Sequence, residues 1–477
     1  MTRLFSGFLL AAVCVVQAGC ASYSGIAPEF KTLDVAALQG NSSAKTYENW
    51  PTEGWYRELN DPVLTRLIEQ ALADSPNVQA ATAKLNRAKA VSGLAESALW
   101  PQVGASVSTT RERFSEHGTT PPPYAGTTRS INDLQLNGQW ELDFFGKNRA
   151  TLNAAIGEIR ASEAEYQATR QLLANNVARS YYGLARLLTQ RELTEQRSRQ
   201  RADLASLVER RFKAGLDTRV ELEAAQGVLP ENARDIASLD EQIGLARHTL
   251  AALIGQGPGA VDTITPTLPA VTALALPASL PADLLGHRAD VVAARWRVES
   301  SVHSMASTKA LFYPNINLRG FAGFSAIGFD KWLDVGSRQP GLGLAITLPI
   351  FDSDRLRSLY RSSAAQVDAS VASYNGTLLE ALHDVADQLS TLDALQTQLS
   401  RQQATQASAE RAYELALKRC KADISDRMTV LNVETNVIAQ RRIAVDLQAR
   451  WIDSRLRLIR ALGGGFEEAP AQALASN

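Results

Sequence analysis

The chain of 477 residues carries the same series of segments twice, in the same order and at a nearly constant separation. Each half predicts a helix, a strand, a loop, a second strand, a very long helix, a turn and another long helix. The matching segments lie 206 to 213 residues apart: WPQVGASV (100–107) with YPNINLRG (313–320), LDFFGKNR (142–149) with LPIFDSDR (348–355), RFKAGLDTRVEL (211–222) with RCKADISDRMTV (419–430), and AALIG (251–255) with RALGG (460–464). This tandem duplication favours one fused unit in which strands and rod-length helices recur together.

Four segments alternate apolar and polar side chains, as strands with two different faces do. The clearest runs from 133 to 144, where Leu134, Leu136 and Trp140 share one face and polar residues share the other. About eleven residues is the length that a tilted strand needs to cross a bilayer. An apolar outer face with a polar inner face suits a barrel around water, although a soluble, half-buried sheet has the same alternation.

Aromatic residues mark all four junctions between these strands and the neighbouring helices. They are Trp100, the pair Phe144 and Phe145, the pair Phe312 and Tyr313, and Phe351. Rings at one common level are typical of the girdle where a barrel meets the membrane surface. The other strand ends open into loops 111–130 and 325–339, which are predicted to lie outside the cell.

Four strands cannot close a membrane barrel, since bacterial barrels have eight or more. An open edge in hydrocarbon would leave backbone N–H and C=O groups unpaired, at a cost of several kcal/mol each. The strands therefore predict an oligomer, in which two copies supply eight strands and three copies supply twelve.

The helices are predicted to be unusually long. Residues 355–421 contain no proline and read as one helix of about 65 residues, or roughly 100 Å at 1.5 Å per residue. Leu378, Val385, Leu392 and Leu399 recur every seven residues within it, the spacing of a coiled coil. The other predicted helices are 62–99, 147–213, 218–254, 289–311 and 426–462, with a kink at Pro230. A helical bundle or filament rod is the alternative, but each rod here continues from a membrane-type strand.

The N-terminus has the features of a leader. Arg3 precedes an apolar stretch, 4–16, that is too short to span a bilayer, and the sequence Val16-Gln17-Ala18-Gly19-Cys20 follows. Small residues directly before a cysteine resemble a bacterial lipobox, which predicts acylation of Cys20. Ordinary cleavage near Ala18 is the alternative. Ala21 is not the aspartate associated with inner-membrane retention, so the lipid is expected in the outer membrane.

Composition argues against several other classes of protein. The net charge is −1, and no run of basic residues indicates nucleic-acid binding. The five histidines and three cysteines show no metal-ligand spacing, and no serine, histidine and aspartate are arranged for catalysis. The sequence therefore predicts no enzyme activity, no cofactor and no metal.

Together, the leader, the duplication, the strand pairs and the segments RFKAGLDT (211–218) and LPIF (348–351) resemble the TolC-type outer-membrane efflux factors, in particular the lipoprotein branch that serves drug-exporting pumps. The resemblance covers essentially the whole mature chain. It implies an α+β membrane protein in which three copies form a 12-stranded β-barrel, continued by a periplasmic α-barrel of long coiled-coil hairpins.

The resemblance also implies partners and a function. The expected partners are two sister copies, a periplasmic adaptor protein, an inner-membrane transporter that is proton-driven, and outer-membrane lipid. The expected function is a passive conduit that exports small toxic compounds or drugs. An exporter of proteins or metal ions is the alternative within this class, and an outer-membrane-anchored structural coiled coil or adhesin is the alternative outside it.

By the same resemblance, the turns between the long helices are the adaptor-docking tips and the periplasmic mouth. The docking residues are Lys213, Ala214, Gly215, Leu216 and Asp217 in the first turn and Lys421, Ala422 and Asp423 in the second. Many relatives constrict the mouth with a leucine, an aspartate and an arginine where this chain has Met428, Asn432 and Thr435. The gate candidates are therefore Asp423, Asp426, Arg427, Met428 and Asn432.

The expected domain organisation follows the duplication. It comprises a signal peptide (1–19), a lipid-anchored extended segment (20–60), a first repeat (61–255) with strand pair 102–110 and 132–144 and helical hairpin 147–254, a linker (256–286), a second repeat (287–464) with strand pair 314–325 and 340–350 and helical hairpin 355–462, and a C-terminal tail (465–477).

Overall fold

The computed structural model describes residues 22–34, 50–271 and 284–468. The predicted signal peptide and Cys20 lie outside these residues, as do parts of the linker and the tail. The chain divides into two compact units, and each takes segments from both repeats. The first unit holds the described residues of 22–33, Lys84–Glu163 and Ala293–Asn375; the second holds those of 34–83, Ala164–Val292 and 376–468. The limits of the two compact units therefore do not coincide with the boundary between the two repeats.

The first unit contains a four-stranded antiparallel sheet. Its strands are β1 (Gln102–Arg113), β2 (Thr128–Glu141), β3 (Asn315–Ile327) and β4 (Gly341–Thr347), in the order β1-β2-β3-β4. The central pair, β2 with β3, joins the two repeats into one sheet.

Four predicted strand limits are wrong. β1 continues past residue 110 to Arg113 and β2 begins at Thr128 instead of 132, because residues 110–113 pair with residues 128–131. The ends of β2 and β4 come earlier than predicted, and each has a local cause. β2 ends at Glu141 instead of continuing to residue 144, because the Asp143 carboxylate accepts the backbone N–H groups of Asn148 and Arg149 at 3.1 and 2.8 Å. Asp143 thereby caps the next helix instead of extending the strand. β4 ends at Thr347, two residues before Pro349, which has no N–H to donate to a ladder.

The described helices include seven longer than two turns. They are α1 (Pro62–Asp74), α2 (Pro76–Ser97), α3 (Lys147–Lys213), α4 (Arg219–Leu253), α5 (Ala289–Ala310), α6 (Ser353–Lys421) and α7 (Arg427–Ala461). The 67 residues of α3 and the 69 of α6 make each about 100 Å long. Within the described residues, no helix has an apolar stretch long enough to cross a membrane.

The predicted single helix 62–99 is wrong, since the structure divides it at Ser75. Ser75 is extended, with φ −65° and ψ 127°, and α2 begins at Pro76. A residue before proline is pushed out of the helical region by the proline ring. Asp61 caps α1 by accepting the N–H groups of Val63 and Leu64, both at 3.0 Å. Pro230 lies inside α4, which remains helical on both sides of it.

In the first unit, the N-terminal segment 22–33 lies along α6. The Asp368 carboxylate accepts the backbone N–H groups of Glu29 and Phe30, both at 2.8 Å. Further along, the Asn375 amide accepts the N–H of Leu33 and donates to the Lys31 carbonyl, both at 2.9 Å. Side chains of α6 thus satisfy the backbone of a segment that has no secondary structure of its own.

The second unit has the larger apolar core, to which α1, α3, α4, α6 and α7 all contribute. The predicted seven-residue repeat on α6 is confirmed, because Leu378, Val385, Leu392 and Leu399 are all buried. Leu184 of α3 and Leu456 of α7 are buried in the same core. The long helices are therefore held by coiled-coil packing, as their heptads indicate.

Candidate functional site

One face of the sheet is apolar across all four strands. The register pairs Val107 with Leu134 and Ala105 with Leu136, and it pairs Leu134 with Phe324 on the other side of β2. The row ends on β4 with Leu342, Leu344 and Ile346, which are all exposed. The predicted facing of Leu134, Leu136, Trp140, Ile316 and Leu318 is confirmed by these pairings.

The opposite face is polar. Near the end of the sheet where the strands join the helices, the cross-strand rows are Gln102–Gln139–Arg319–Gly343 and Gly104–Asn137–Phe321–Gly341. Above them lie Ser106–Gln135–Gly323 and Ser108–Asp133–Ser325. The Asn137 amide donates to the Ser106 hydroxyl at 3.1 Å. A sheet with these two faces suits a wall between hydrocarbon and water.

Both edges of the sheet carry exposed apolar side chains. In the described chain, β1 and β4 each have a neighbouring strand on one side only. Leu342 on β4 is 79% exposed and Val103 on β1 is 73% exposed. Edge strands of this length offer unpaired N–H and C=O groups to another strand.

Aromatic residues lie where the strands meet the helices, although they do not all face outward. Trp100, Phe144 and Phe351 are exposed, and Phe145 stacks on Tyr313 with centroids 4.9 Å apart. Phe312 differs, because its ring packs edge-on against Tyr23 and Tyr360 in the first unit's own apolar cluster. The prediction of an aromatic girdle is therefore wrong for Phe312, which has a packing role.

The first hairpin tip is a tight turn between α3 and α4. Gly215 has φ +74°, its N–H donates to the Phe212 carbonyl, and the Leu216 N–H donates to the Arg211 carbonyl, both at 2.9 Å. These two bonds form a Schellman motif, which ends a helix by a left-handed residue. Thr218 and Glu221 then form a capping box at the start of α4.

An ion pair fastens the first tip to α3. The Arg211 guanidinium binds both Asp217 carboxylate oxygens, at 2.9 and 3.0 Å, and the Asp217 side chain is only 10% exposed. The hydrogen bonds that Arg211 donates to Asp217, and then the charge of Asp217, raise the pKa of Arg211. A bidentate pair of this kind is directional as well as attractive.

The second tip has the same backbone geometry with different side chains. Asp423 takes the left-handed position, with φ +56°, and the Ile424 N–H donates to the Arg419 carbonyl at 3.0 Å. Asp426 caps α7 by accepting the backbone N–H of Thr429 at 2.8 Å. Hydrogen bonds from the side chain and backbone of Thr429, together with the charge of Arg211, hold the pKa of Asp426 below its usual value. The two tips are thus electrostatic neighbours.

A row of polar contacts joins α3 to α7 behind the tips. The Gln200 amide donates to the Thr435 hydroxyl at 2.9 Å and also to the Leu431 carbonyl. Further along, the Gln190 amide donates to the Asp446 carboxylate at 2.5 Å, and the Arg179 guanidinium donates to Asp453 at 2.6 Å. These contacts hold the two helices in a fixed register.

Comparison with known proteins now assigns the family. The pattern of the family described as "Outer membrane efflux protein" matches residues 67–256 and 280–464, one stretch in each repeat. The chain belongs to the outer membrane efflux protein family.

Relatives and solved structures agree with this assignment. The fusaric acid resistance protein FusA of Burkholderia cepacia is 34% identical over 363 residues, covering 75% of this chain and 68% of that protein. The multidrug resistance outer membrane protein MdtQ of Escherichia coli is 30% identical over 462 residues, covering 95% and 96%. The outer membrane protein VceC of Vibrio cholerae superposes with a TM-score of 0.80 at 35% identity, covering 88% of this chain and all of that one.

This efflux protein therefore lies in the outer membrane and has the TolC-type fold that the sequence predicted. The family is one of channels, and the protein is the outer-membrane component of an efflux system. Its architecture contains a strand pair and a long helical hairpin, each present twice in tandem, which gives four strands in all.

Most predicted docking residues of this efflux protein lie on its surface. Lys213, Ala214, Gly215 and Leu216 are exposed in the first tip, and Lys421, Ala422 and Asp423 are exposed in the second. Asp217 is the exception, because its carboxylate is bound by Arg211. Sequence reasoning missed Ile424, which is 67% exposed, as is Leu216. The repeat could have found it, since ISD at 424–426 aligns with LDT at 216–218.

The predicted gate residues fall into two groups. Arg427 and Asn432 are exposed and Met428 is half-buried, so all three line the start of α7. Asp426 has a structural task as the α7 cap, and Asp423 holds the left-handed position of the turn. The Thr435 hydroxyl accepts a hydrogen bond from the Gln200 amide. Their role in gating stays a prediction, and Cys20 lies outside the described residues.

Proposed function

We propose that three copies of this efflux protein close a 12-stranded barrel in the outer membrane and form one continuous passive conduit. The observation that carries the proposal is the pair of edge strands, β1 and β4, each with an unpaired edge in the described chain and exposed apolar side chains. Pairing β4 of one copy with β1 of the next satisfies both edges. In hydrocarbon, each backbone group left unpaired would cost several kcal/mol.

The faces of the sheet set the direction of the barrel wall. The apolar face, with Leu136 and Leu344, faces lipid, and the polar face, with Gln135 and Asn137, lines the water-filled lumen. Helices of about 100 Å, such as α3 and α6, supply the length for a passage through the periplasm.

The hairpin tips dock a periplasmic adaptor protein. Leu216 and Ile424 occupy matching positions in the two repeats and expose equal fractions of their side chains. Exposed apolar residues on a rigid turn are suited to a protein interface. The adaptor links the conduit to an inner-membrane transporter, which is proton-driven in the branch that the sequence resembles.

The cargo is small toxic compounds or drugs. This assignment rests on the relatives, one of which is named for fusaric acid resistance and another for multidrug resistance. The choice among compounds belongs to the transporter, since the outer-membrane component catalyses no step of its own.

A lipid on Cys20 anchors the chain at the membrane surface. The described residues begin at Ser22, whose carbonyl accepts a hydrogen bond from the Arg357 guanidinium. The Tyr23 hydroxyl lies 3.3 Å from that of Tyr313, at the junction between helix and strand. An acyl group two residues before this point would meet the aromatic level of the sheet, where the bilayer surface is expected.

Opposite changes on neighbouring residues of β2 test the barrel. Leu136→Arg places a charge on the lipid face and costs about 2–4 kcal/mol near the bilayer midplane, so we expect no assembled trimer in outer membranes. Gln135→Ala, on the lumen face, should assemble and support full drug export. Heat-modifiable migration on gels measures assembly, and growth in the presence of drugs measures export. A stable trimer of Leu136→Arg would contradict the facing of the sheet.

Charge on the tips tests adaptor docking. The double variant Leu216→Asp/Ile424→Asp should assemble normally but lose cross-linking to the adaptor, with a loss of drug resistance. The matched control is Leu333→Asp in the loop between β3 and β4, because Leu333 is exposed to a similar extent, 63% against 67%. Normal cross-linking and export by the double variant would show that the adaptor binds elsewhere.

Mass spectrometry of the mature protein tests the anchor. We expect an acylated N-terminal cysteine in the protein as it stands and an unprocessed or lipid-free chain in Cys20→Ser. Cleavage near Ala18, with an unmodified Cys20, would refute lipidation without affecting the barrel proposal.

A further inference from the structure

Arg319 occupies an unusual place on the polar face of the sheet. It lies in the middle of β3, where its cross-strand neighbours are Gln139 on β2 and Gly343 on β4. The side chain is exposed, and it makes no ion pair within the described residues. A Cβ atom at Gly343 would meet nothing within 4 Å, so the space beside Arg319 is open.

The other charges on this face are arranged differently. In the four described strands they are Glu112, Arg129, Asp133 and Glu141. Glu112 lies directly across from Arg129, and Glu141 is bound by Lys147 at 2.6 Å. Asp133 is six residues along β2 from Gln139, or roughly 20 Å at the rise of a strand. Glu141 lies diagonal to Arg319, because it faces Asn317, but it is already paired with Lys147. Of the two described cations on this face, Arg129 and Arg319, Arg319 is therefore the one with no acidic residue directly across from it on either neighbouring strand.

We propose that Arg319 from each of three copies forms a cationic ring in the lumen that binds anionic solutes, those carrying carboxylate or phosphate groups, as they pass. The proposal rests on the trimeric barrel of the proposed function. It adds a preference for one class of cargo to the proposed conduit.

The dimensions of the barrel allow such a ring to act across the whole lumen. Twelve strands about 4.8 Å apart and tilted by about 40° enclose a backbone cylinder roughly 24 Å across. Three long side chains pointing inward bring the centre within about one Debye length, roughly 8 Å, of each guanidinium. Guanidinium groups bind carboxylate and phosphate through paired hydrogen bonds.

The neighbouring row supports the same site. Phe321 follows Arg319 on the lumen face, and its ring covers the backbone of Gly341, where a Cβ would lie only 2.4 Å from ring atoms. The Phe321 row has glycine on both edge strands, Gly104 and Gly341, and the Arg319 row has Gly343 on β4, so the space around these two side chains is open. Arg319 therefore lies next to an apolar ring, which suits organic anions better than inorganic ones.

Single-channel recording of purified trimers in planar bilayers tests this proposal. Reversal potentials in a KCl gradient report the ratio of chloride to potassium permeability, and citrate serves as the anionic probe. Arg319→Glu should shift this ratio at least about threefold toward potassium, because potentials in charged clefts reach several kT. In Arg319→Gln, the citrate concentration for half block should rise about tenfold, because three charge-assisted contacts are lost.

Arg129→Gln is the matched control, since Arg129 is an exposed arginine on the same face that already faces Glu112. It should leave citrate block within about twofold of the unsubstituted channel, because its charge is already balanced. If Arg319→Glu does not assemble, the neutral Arg319→Gln decides alone. Trimers of these variants with unchanged permeability ratio and unchanged citrate block would overturn the ring and leave the barrel intact. Unsubstituted protein that forms no channel would overturn both.

Discussion

The two hairpin tips reach the same backbone geometry by different side-chain chemistry. Both end a long helix with a Schellman motif, but Gly215 holds the left-handed position in the first and Asp423 holds it in the second. The helix after the first tip, α4, is capped by Thr218 with Glu221, and the helix after the second, α7, is capped by Asp426 with Thr429. Asp217 in the first tip binds Arg211, whereas its counterpart Ser425 cannot form an ion pair. The duplicated turn is therefore specified by backbone hydrogen bonds, and the side chains are interchangeable means of support.

Substitutions at the left-handed position of the first tip, Gly215, should have the largest effect on stability. Gly215→Val should destabilise the first tip by about 2 kcal/mol, because a β-branched residue is strained at positive φ. Gly215→Asp should cost less than about half as much, since aspartate tolerates this conformation and already occupies it in the second tip. Hydrogen exchange of the 211–219 segment measures both changes.

A steric clash does not contribute to either cost, because a Cβ atom at Gly215 would meet nothing within 4 Å. Equal costs for the valine and aspartate variants would mean that the two tips are not equivalent in backbone terms.

Removal of the ion pair should have a smaller effect, and only in the first tip. Arg211→Ala leaves the largely covered Asp217 carboxylate without its partner, so exchange in the 211–219 segment should accelerate roughly fivefold. Arg419→Ala removes the matching arginine of the second tip, which is exposed and has no ion pair in the described residues. Its exchange rates should not change. Similar acceleration by both variants would show that Asp217 contributes nothing specific.

Acidification should produce the smallest difference between the tips. The pKa values of Asp426 and Glu221 are both lowered, mainly by hydrogen bonds from Thr429 and Thr218 respectively. Their stabilising effect is therefore complete above the ordinary carboxylate values, near pH 4, and is lost as the pH falls through the lowered values.

We expect exchange at both helix starts, corrected for intrinsic rates, to be unchanged from pH 7 to 5 and faster below about pH 4. Asp426→Asn keeps a capping side chain that does not titrate, so it should remove the pH dependence at the start of α7 alone. A persistent acid effect there would assign it to another group.

Local patterns of this chain predicted much of the fold. The alternation in β1 to β4, the heptads of α6 and the two helix-ending turns are set by residues a few positions apart. For that reason they could be read from the sequence alone. The facing of Leu136 and Gln135 followed in the same way, because the side-chain period of a strand is two.

Two predicted boundaries were wrong because a local sequence signal was stronger than the longer pattern around it. Pro76 divides α1 from α2 through its effect on Ser75, and Asp143 leaves the strand to cap α3. In both cases a short-range hydrogen bond or steric clash outweighed a longer pattern of apolar residues.

By itself, the sequence determined the duplicated order of helices and strands, the two faces of the sheet and the family resemblance. Only the tertiary structure decided that β2 pairs with β3 across the repeats, that Arg211 binds Asp217 at the tip, and that Phe312 packs against Tyr23. It also decided that Arg319 stands on the polar face of the sheet with no acidic residue directly across from it on either neighbouring strand. The physical reason is distance along the chain: periodicity encodes which face a residue takes, but cross-strand partners, packing partners and unbalanced charges depend on segments that meet only after folding.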